Sequence, residues 1–476
     1  MEYGALTVTD ISLTETLIFG PETLRVWWEA NRVPVPGAKY TPQFKRGRWD
    51  GLYSPGKWCR LRGDRWEWRG GRGLVDRILR EVTGMAYHPG ASSFDLQTEG
   101  LRDYQQEALQ AIVHRTWCRI ALATNAGKGA VIALAAEWAW REHRALVAIL
   151  CDEISVWDAL RDEMARWAPS LPVHRVGSGS TELPPMSGAA LVMVPTLGRR
   201  LSGDDPRWLA WWRQVQMVLC DEADKATAAT WRRVLAAAEG TRWRVGFSGT
   251  FPEEPHADLV LEEQLGPIAV RRGNMELVKR DISARPTVGL YRYDASSVLA
   301  PLPPDKKWWR GKMGPELRQW IFEQAIMCNA ARHEFIAALI QPGVPTAVVV
   351  NRVQHGEYLA AAIPGAVFLE GADSAGHRET ILADFIAGRL SVLVVTKILD
   401  RGTNKLGTAM DLIFASGEGS TRQTLQRIGR GLRRAGGKEF LRIIDIVDKG
   451  HVYLHAAVER RLSVYAKEEF DVVIAP

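Results

Sequence analysis

Between residues 118 and 450, short apolar or β-branched runs alternate with amphipathic stretches of helical length, and the alternation occurs twice. Runs of this kind read as strands buried on both faces, and their alternation with helical patterns predicts parallel α/β sheets. The first set is Arg119–Leu122, Leu146–Leu150, Leu191–Val194, Met217–Cys220 and Arg244–Phe247. The second is Ala347–Val350, Val367–Leu369, Val392–Val395, Leu412–Ala415 and Arg442–Asp445. Ser283 to Pro315 is rich in proline and charge and lacks periodicity, which predicts a crossing linker or small insertion. Before residue 100 the pattern changes quickly: a helix-like Glu22–Glu29 precedes a stretch rich in Gly, Trp and Arg, and Gly90-Ala91-Ser92-Ser93 marks a boundary. The predicted organisation is an accessory unit over 1–95, a first lobe over 96–282, a linker or insertion over 283–320 and a second lobe over 321–476. The class is α/β: two tandem parallel-sheet lobes behind a small α+β N-terminal domain.

Composition sharpens this only a little. The 476 residues, 46% of them hydrophobic, exceed one ordinary core and predict two to four domains. Sixty-one basic against 55 acidic residues leave a charge of +6, a mild excess that favours an acidic partner without deciding for one. The cysteines (Cys59, Cys118, Cys151, Cys220, Cys328) lack CxxC pairing, so neither a disulfide framework nor a zinc site is indicated and a reducing compartment is expected. His355 and the other histidines lack metal-ligand spacing. No apolar stretch approaches the about 20 residues of a membrane span, and no basic run with an apolar core opens the chain. The expectation is a soluble, cytoplasmic protein without a membrane partner. Nineteen tryptophans is a high count with no pattern in the sequence to explain it.

Ordered chemistry sits at the ends of the predicted strands. Ala123-Thr124-Asn125-Ala126-Gly127-Lys128 follows one and opens a helix, so that backbone N–H groups face phosphates and Lys128 reaches the β and γ oxygens. Thr124, Asn125, Ala126, Gly127, Lys128 and Gly129 are therefore candidate ATP-binding residues. Gly129 stands where such loops carry the Ser or Thr whose hydroxyl meets Mg²⁺; magnesium then leans on water, phosphates and Asp221. If that hydroxyl is a missing element, Gly129→Thr should raise turnover. Asp221 and Glu222 end a strand, one placed beside the metal and the other to orient and deprotonate water. Taken singly, the loop also fits an ordinary strand-to-helix turn, and the acidic pair a helix N-cap. Arg430 and Arg433, three apart on a predicted helix, share a face and are candidate arginine fingers. A basic face containing Arg427 and Arg434 also fits simple solvation or nucleic-acid phosphate.

Together these blocks resemble superfamily 2 helicases, in which two RecA-like lobes hold ATP and Mg²⁺. The resemblance implies that Gln105, in Leu101-Arg102-Asp103-Tyr104-Gln105, reads the base and that Arg102 stacks on it. It implies coupling by Ser248-Gly249-Thr250, a fifth motif over Thr396–Asn404 that includes Gly402, and a sixth over Gln426–Arg433 in which Gln426, Arg430 and Arg433 are catalytic. Thr196 and Thr396 are similar to hydroxyl residues that such motors place on the backbone of a tracked DNA strand. Tyr40–Gly51, Gly73-Leu74-Val75 and Val464–Phe470 resemble phage recombination and repair helicases of the UvsW type. That implies ATP-driven remodelling of branched DNA with 3′-to-5′ polarity, alongside recombination or replication proteins. Gly129, and Cys151-Asp152 in place of Pro-Thr, depart from the family's pattern.

The accessory unit interleaves Lys45, Arg46, Arg48, Lys57, Arg60, Arg62, Arg65, Arg69 and Arg72 with Trp49, Trp58, Trp66 and Trp68. Cations neutralise phosphates and exposed indoles stack on unpaired bases, so Lys45, Arg46, Arg48, Trp49 and Arg60 are candidate DNA-binding residues for branched or partly single-stranded DNA. The competing reading makes the tryptophans a small core and the arginines its solvated rim. Two other functions stay open: an RNA helicase, and a DNA-annealing or binding protein with weak ATP turnover.

Overall fold

The computed structural model describes residues 1–10, 12, 14–87, 99–177, 179, 182–203, 205–299, 314–396, 406–417, 421–435 and 437–475. Residue contacts divide the chain into two units, Met1–Leu122 with Gly127–Arg272, and Ala123–Ala126 with Gly273–Pro476.

The first unit opens with strands β1 (Glu2–Tyr3), β2 (Leu6–Asp10), β3 (Glu15–Gly20), β4 (Val33–Pro34), β5 (Leu52–Tyr53), β6 (Trp58–Arg62) and β7 (Arg65–Gly71). Five of them form a sheet in the order β1-β2-β3-β7-β6, paired antiparallel, while β4 pairs with β5. Helices Glu22–Ala30 and Val75–Thr83 bury Leu24, Trp27, Ile78 and Leu79 against Ile18 and Trp68 of the sheet. Alternate burial along β3 shows the period-two pattern of a sheet with one covered face.

This accessory sheet does not stand apart from the lobe that follows. Leu259, on helix Pro255–Leu265, belongs to its core cluster. A Cβ at Gly73 would lie 2.0 Å from the Glu262 carbonyl, so only glycine permits the approach. Tyr53 donates to Glu263 at 2.5 Å, Arg77 to Glu262 at 3.2 Å, and Arg115 to Asp76 at 3.2 Å. The proposed boundary at residues 90–93 lies outside the described residues.

The rest of the first unit is a seven-stranded parallel sheet of β8 (Trp117–Leu122), β9 (Val147–Cys151), β10 (Val173–Val176), β11 (Ala189–Met193), β12 (Met217–Asp221), β13 (Trp243–Ser248) and β14 (Ile268–Arg272). Its order is β10-β11-β9-β12-β13-β8-β14. Trp208, Trp211, Trp212 and Trp231 fill its core, which accounts for part of the tryptophan content. Arg244, buried in β13, donates to the Leu235 and Ala238 carbonyls at 3.0 and 3.1 Å and caps helix Ala229–Ala236.

The second unit carries another seven-stranded parallel sheet: β15 (Arg285–Asp294), β16 (Thr346–Val349), β17 (Ala366–Leu369), β18 (Val392–Val395), β19 (Asp411–Phe414), β20 (Phe440–Lys449) and β21 (Asp471–Ile474). The order is β17-β18-β16-β19-β20-β15-β21. The two parallel sheets make this a tandem RecA-like fold with a small α+β N-terminal domain. One expectation is corrected: Ser283–Pro315 does not begin as a linker, because Arg285–Asp294 is a ten-residue strand between β20 and β21. Its Pro286 and Gly289 imitate a breaker, yet alternate residues from Pro286 to Leu290 are buried. Residues 300–313 lie outside the described residues. Buried ion pairs hold this lobe together: Arg332 with Asp448, and Arg461 with Asp445, to which Tyr465 also donates at 2.7 Å. Among the described residues no helix is long and apolar enough to cross a membrane.

Candidate nucleotide site and nucleic-acid surface

Parallel strands present their carboxyl ends on one edge, and that edge of the first sheet gathers most of the predicted chemistry. Past Leu122 the loop turns tightly: Ala126 N–H donates to the Ala123 carbonyl at 3.1 Å, and Asn125 and Gly127 take left-handed φ values of 82° and 77°. Gly127 caps the sixteen-residue helix Lys128–His143. A Cβ at Gly127 would meet Gln105 Nε2 at 2.4 Å. Gln105 is buried, accepting from Arg102 N–H at 2.9 Å and donating to the Gly127 carbonyl at 3.1 Å. The glutamine thus braces the loop, and Arg102 reaches the Tyr104 hydroxyl at 3.1 Å. Lys128 Nζ donates to the Leu122 carbonyl at 3.2 Å, folded back over the strand end.

Asp221 closes β12 and is buried, its Oδ1 accepting from Glu222 N–H at 3.0 Å. Burial, then the charge of Glu222, push its pKa up to about 6, against the opposing pull of Lys128. Glu222 adopts φ 52°, a left-handed conformation uncommon outside glycine that carries strain of order 1 kcal/mol. Asp224 accepts from Ser248 Oγ at 2.9 Å, and Thr250 N–H donates to the same oxygen at 3.1 Å. Ser248 therefore meets the acidic segment directly and Thr250 meets it only through Ser248, whereas Gly249 is exposed. Lys225 bridges Asp152 at 2.8 Å and Glu153 at 3.2 Å, a link between two motifs that sequence spacing did not reveal. Thr196 stands in the first turn of helix Val194–Leu201, half-buried beyond β11.

The donor set suits magnesium carried on a nucleotide. Among the described residues no group of three or more His, Cys, Asp or Glu is arranged to hold a metal alone, and Mg²⁺ ordinarily takes one or two carboxylates plus phosphates and water. A buried Asp221 carboxyl near Lys128 fits that pattern.

In the second unit, Thr396 follows β18 and is buried, its N–H 3.5 Å from the Leu369 carbonyl. Gly402 lies outside the described residues. Helix Thr421–Gly431 carries Gln426, Arg427 and Arg430, and Arg427 donates to Asn351 Oδ1 at 2.7 Å. Arg433 is corrected: it is not on that helix but in a bridge with Ser283, so it does not share a helical face with Arg430. The helix ends at Gly431, where a Cβ would lie 2.9 Å from Leu441 Cδ2, and Ala284 N–H donates to the Leu432 carbonyl at 2.8 Å, drawing the chain out. Lys438, which the sequence did not single out, donates to the Gly407 carbonyl at 3.1 Å and to those of Ala409 and Gly431. It clips the end of this helix to the segment before β19. Burial pushes its pKa down to about 8, while the three carbonyls favour the ammonium form.

On the accessory sheet the cations separate into two classes. Arg60 and Arg62 both pair with the buried Glu67 at 3.3 Å, and Arg60 also stacks 4.1 Å from the Trp58 ring centre. Lys57 and Arg69 share Glu15. Lys45, Arg46 and Arg48, on and after helix Pro42–Lys45, are exposed and have no ion pair or hydrogen bond from their side chains among the described residues. Beside them, Gln43, Arg48 and Trp49 line an open recess, with Tyr40 and Phe44 exposed nearby in sequence. Trp49 is half-buried and donates to the Leu52 carbonyl at 2.9 Å. Trp68 is core, fully buried with its indole bonded to Pro55 at 2.9 Å.

Comparison with known proteins places two family domains on this framework. Residues 98–253 match the type III restriction enzyme res subunit, and residues 331–435 match the helicase conserved C-terminal domain. A 115-residue stretch is 31% identical to a candidate DNA 3′-5′ helicase Rad25 of Haloarcula marismortui, covering 24% of this chain and 18% of the relative. Among solved structures, the ATP-dependent type ISP restriction-modification enzyme LlaBIII bound to DNA is similar at TM-score 0.58 and 13% identity, over 81% of this chain and 32% of that one. UvsW of bacteriophage T4 is similar at TM-score 0.44 and 18% identity, over 98% of both chains.

Proposed function

From a chain that belongs to the superfamily 2 helicases, we propose an ATP-driven DNA motor that unwinds or branch-migrates branched DNA such as forks, four-way junctions and displacement or RNA-containing loops. The observation that carries this reading is the attachment of an accessory domain, with three exposed cations that have no side-chain partner among the described residues, to the lobe bearing Lys128 and Asp221. Phosphate contacts by Lys45, Arg46 and Arg48 carry little base information, so the reading predicts recognition of DNA form rather than sequence. The Rad25 relative supports 3′-to-5′ polarity.

In this mechanism Lys128 and the loop amides hold the nucleotide phosphates. Magnesium, when bound with ATP, would be met by Asp221 and would neutralise charge on the transferring phosphoryl group. Glu222 orients the attacking water and takes its proton. Gln105 holds the loop in register and reads the base edge. Ser248, hydrogen-bonded to Asp224, carries the state of the acidic segment to the next strand. Arg430 serves as a finger on the phosphates, and Thr196 and Thr396 hold the strand backbone. The cycle of nucleotide binding and release changes the grip on one strand, and that difference moves the protein.

Steady-state ATPase activity should be measured with no nucleic acid, single-stranded DNA, a four-way DNA junction and single-stranded RNA, beside Glu222→Gln. Stimulation greatest with the junction and absent in the variant is expected. Stimulation by RNA alone would transfer the assignment to RNA, and junction binding without turnover would make the protein a DNA-binding rather than a motor protein.

A further inference from the structure

Gly129 occupies the first turn of helix Lys128–His143, at the position where the loop lacks its expected hydroxyl. The space a side chain there would fill is already taken. A Cβ on Gly129 would lie 2.6 Å from Glu163 Cγ and 3.1 Å from both Glu163 Cβ and Cδ. Glu163 comes from helix Ile154–Trp167, which packs along helix Lys128–His143. The glutamate is half-buried, and its carboxylate has no ion pair or hydrogen bond among the described residues. A carboxylate whose carbons lie this close to the start of the phosphate loop repels bound phosphates unless a cation stands between them. The other carboxylates nearby in sequence are engaged: Arg161 donates to Asp158 and Asp162.

We propose that Glu163 takes the place of the missing loop hydroxyl, supplying an oxygen to the divalent cation that arrives with the nucleoside triphosphate. This rests on the nucleotide-site reading above and deepens it. Gly129 is then not a defect of the loop but the condition that admits Glu163. The expectation that Gly129→Thr raises turnover is reversed, since the added side chain collides with Glu163 before its hydroxyl can help.

A carboxylate differs from a hydroxyl in its charge, and that supplies the test. Equilibrium binding of a fluorescent ADP or ATP analogue is measured with excess EDTA and across a Mg²⁺ titration, for the full-length chain and Glu163→Gln. Without metal, the Glu163 charge repels phosphates, so Glu163→Gln should bind nucleotide more tightly than the native chain. With Mg²⁺, the variant should bind less tightly and require at least about tenfold more metal, since losing even a group that only orients metal ligands costs that much. These opposite signs distinguish a metal-facing carboxylate from a side chain that only fills space. Gly129→Ser should weaken Mg²⁺-dependent binding, and Gly129→Ser with Glu163→Ala should recover it, because the hydroxyl then has both room and purpose. Equal affinities for Glu163→Gln and the native chain under both conditions, or equal losses under both, overturn the proposal while leaving the nucleotide site intact. A native chain that binds no nucleotide at any Mg²⁺ concentration overturns both. Thermal unfolding of each variant identifies a loss caused by misfolding, and the double variant supplies the independent comparison.

Discussion

Arg332 offers a quantitative test of how the second lobe is held. It is fully buried, its Nε and Nη2 donate to the two carboxylate oxygens of Asp448 at 2.7 and 2.9 Å, and its Nη1 donates to the Ala415 carbonyl at 2.9 Å. Asp448 ends the buried part of β20, and Ala415 follows β19 on the path to the helix bearing Arg430. Arg332→Met keeps the stem but strands a buried carboxylate and a buried carbonyl. Removing one partner of such a pair costs about 3–5 kcal/mol. For a unit of about 200 residues, at roughly 2–4 °C per kcal/mol, a 4 kcal/mol loss lowers the midpoint by about 8–16 °C. Adding Asp448→Leu removes the orphaned charge and should recover most of the loss, because replacing both members of a buried pair with apolar groups is often neutral. Calorimetry of the full chain, with the transition assigned by hydrogen exchange in Phe440–Lys449, measures the native chain and both variants. A single variant within 1 kcal/mol of native at pH 8, or a double variant as damaged as the single one, would refute the argument.

The remaining predictions concern the nucleotide site and the accessory surface. Lys128→Ala should abolish turnover in a steady-state ATPase assay while junction binding, followed by fluorescence anisotropy, persists; normal turnover would remove Lys128 from the phosphates. Ser248→Ala removes a hydrogen bond to the Asp224 carboxylate, worth about 1.5–3 kcal/mol, and should impair strand displacement more than DNA-stimulated hydrolysis. Equal loss of both activities would make Ser248 a structural residue. Arg46→Ala with Arg48→Ala should weaken fork binding and reduce the log–log salt slope by about 2, whereas Arg60→Ala, already paired with Glu67, should change it by less than 1. Equal effects at the two places would mean that ion pairing inside the sheet does not withdraw Arg60 from DNA.

What the sequence determined by itself was local. The apolar runs that became β8, β9, β11, β12, β13 and their counterparts in the second lobe are legible because a strand buried on both faces must be continuously apolar. The phosphate loop and Asp221-Glu222 are legible because both occupy contiguous residues at strand ends. Two strands at the margins of the first sheet, β10 and β14, gave weaker signals because burial there is partial and charged residues enter the run. β15 was hidden by Pro286 and Gly289, whose breaker character the flanking strands override. Arg433 left its helix because packing at Gly431 and pairing with Ser283 outweigh helical spacing. Only the tertiary structure separated Arg60 from Arg46 and Arg48: antiparallel register sets Arg60 opposite Glu67, a relation that neither residue's neighbours in sequence reveal. It also set Glu163 against Gly129 from another helix. Backbone patterns follow from neighbours in sequence, whereas the charge and space at a site depend on groups brought together from distant parts of the chain.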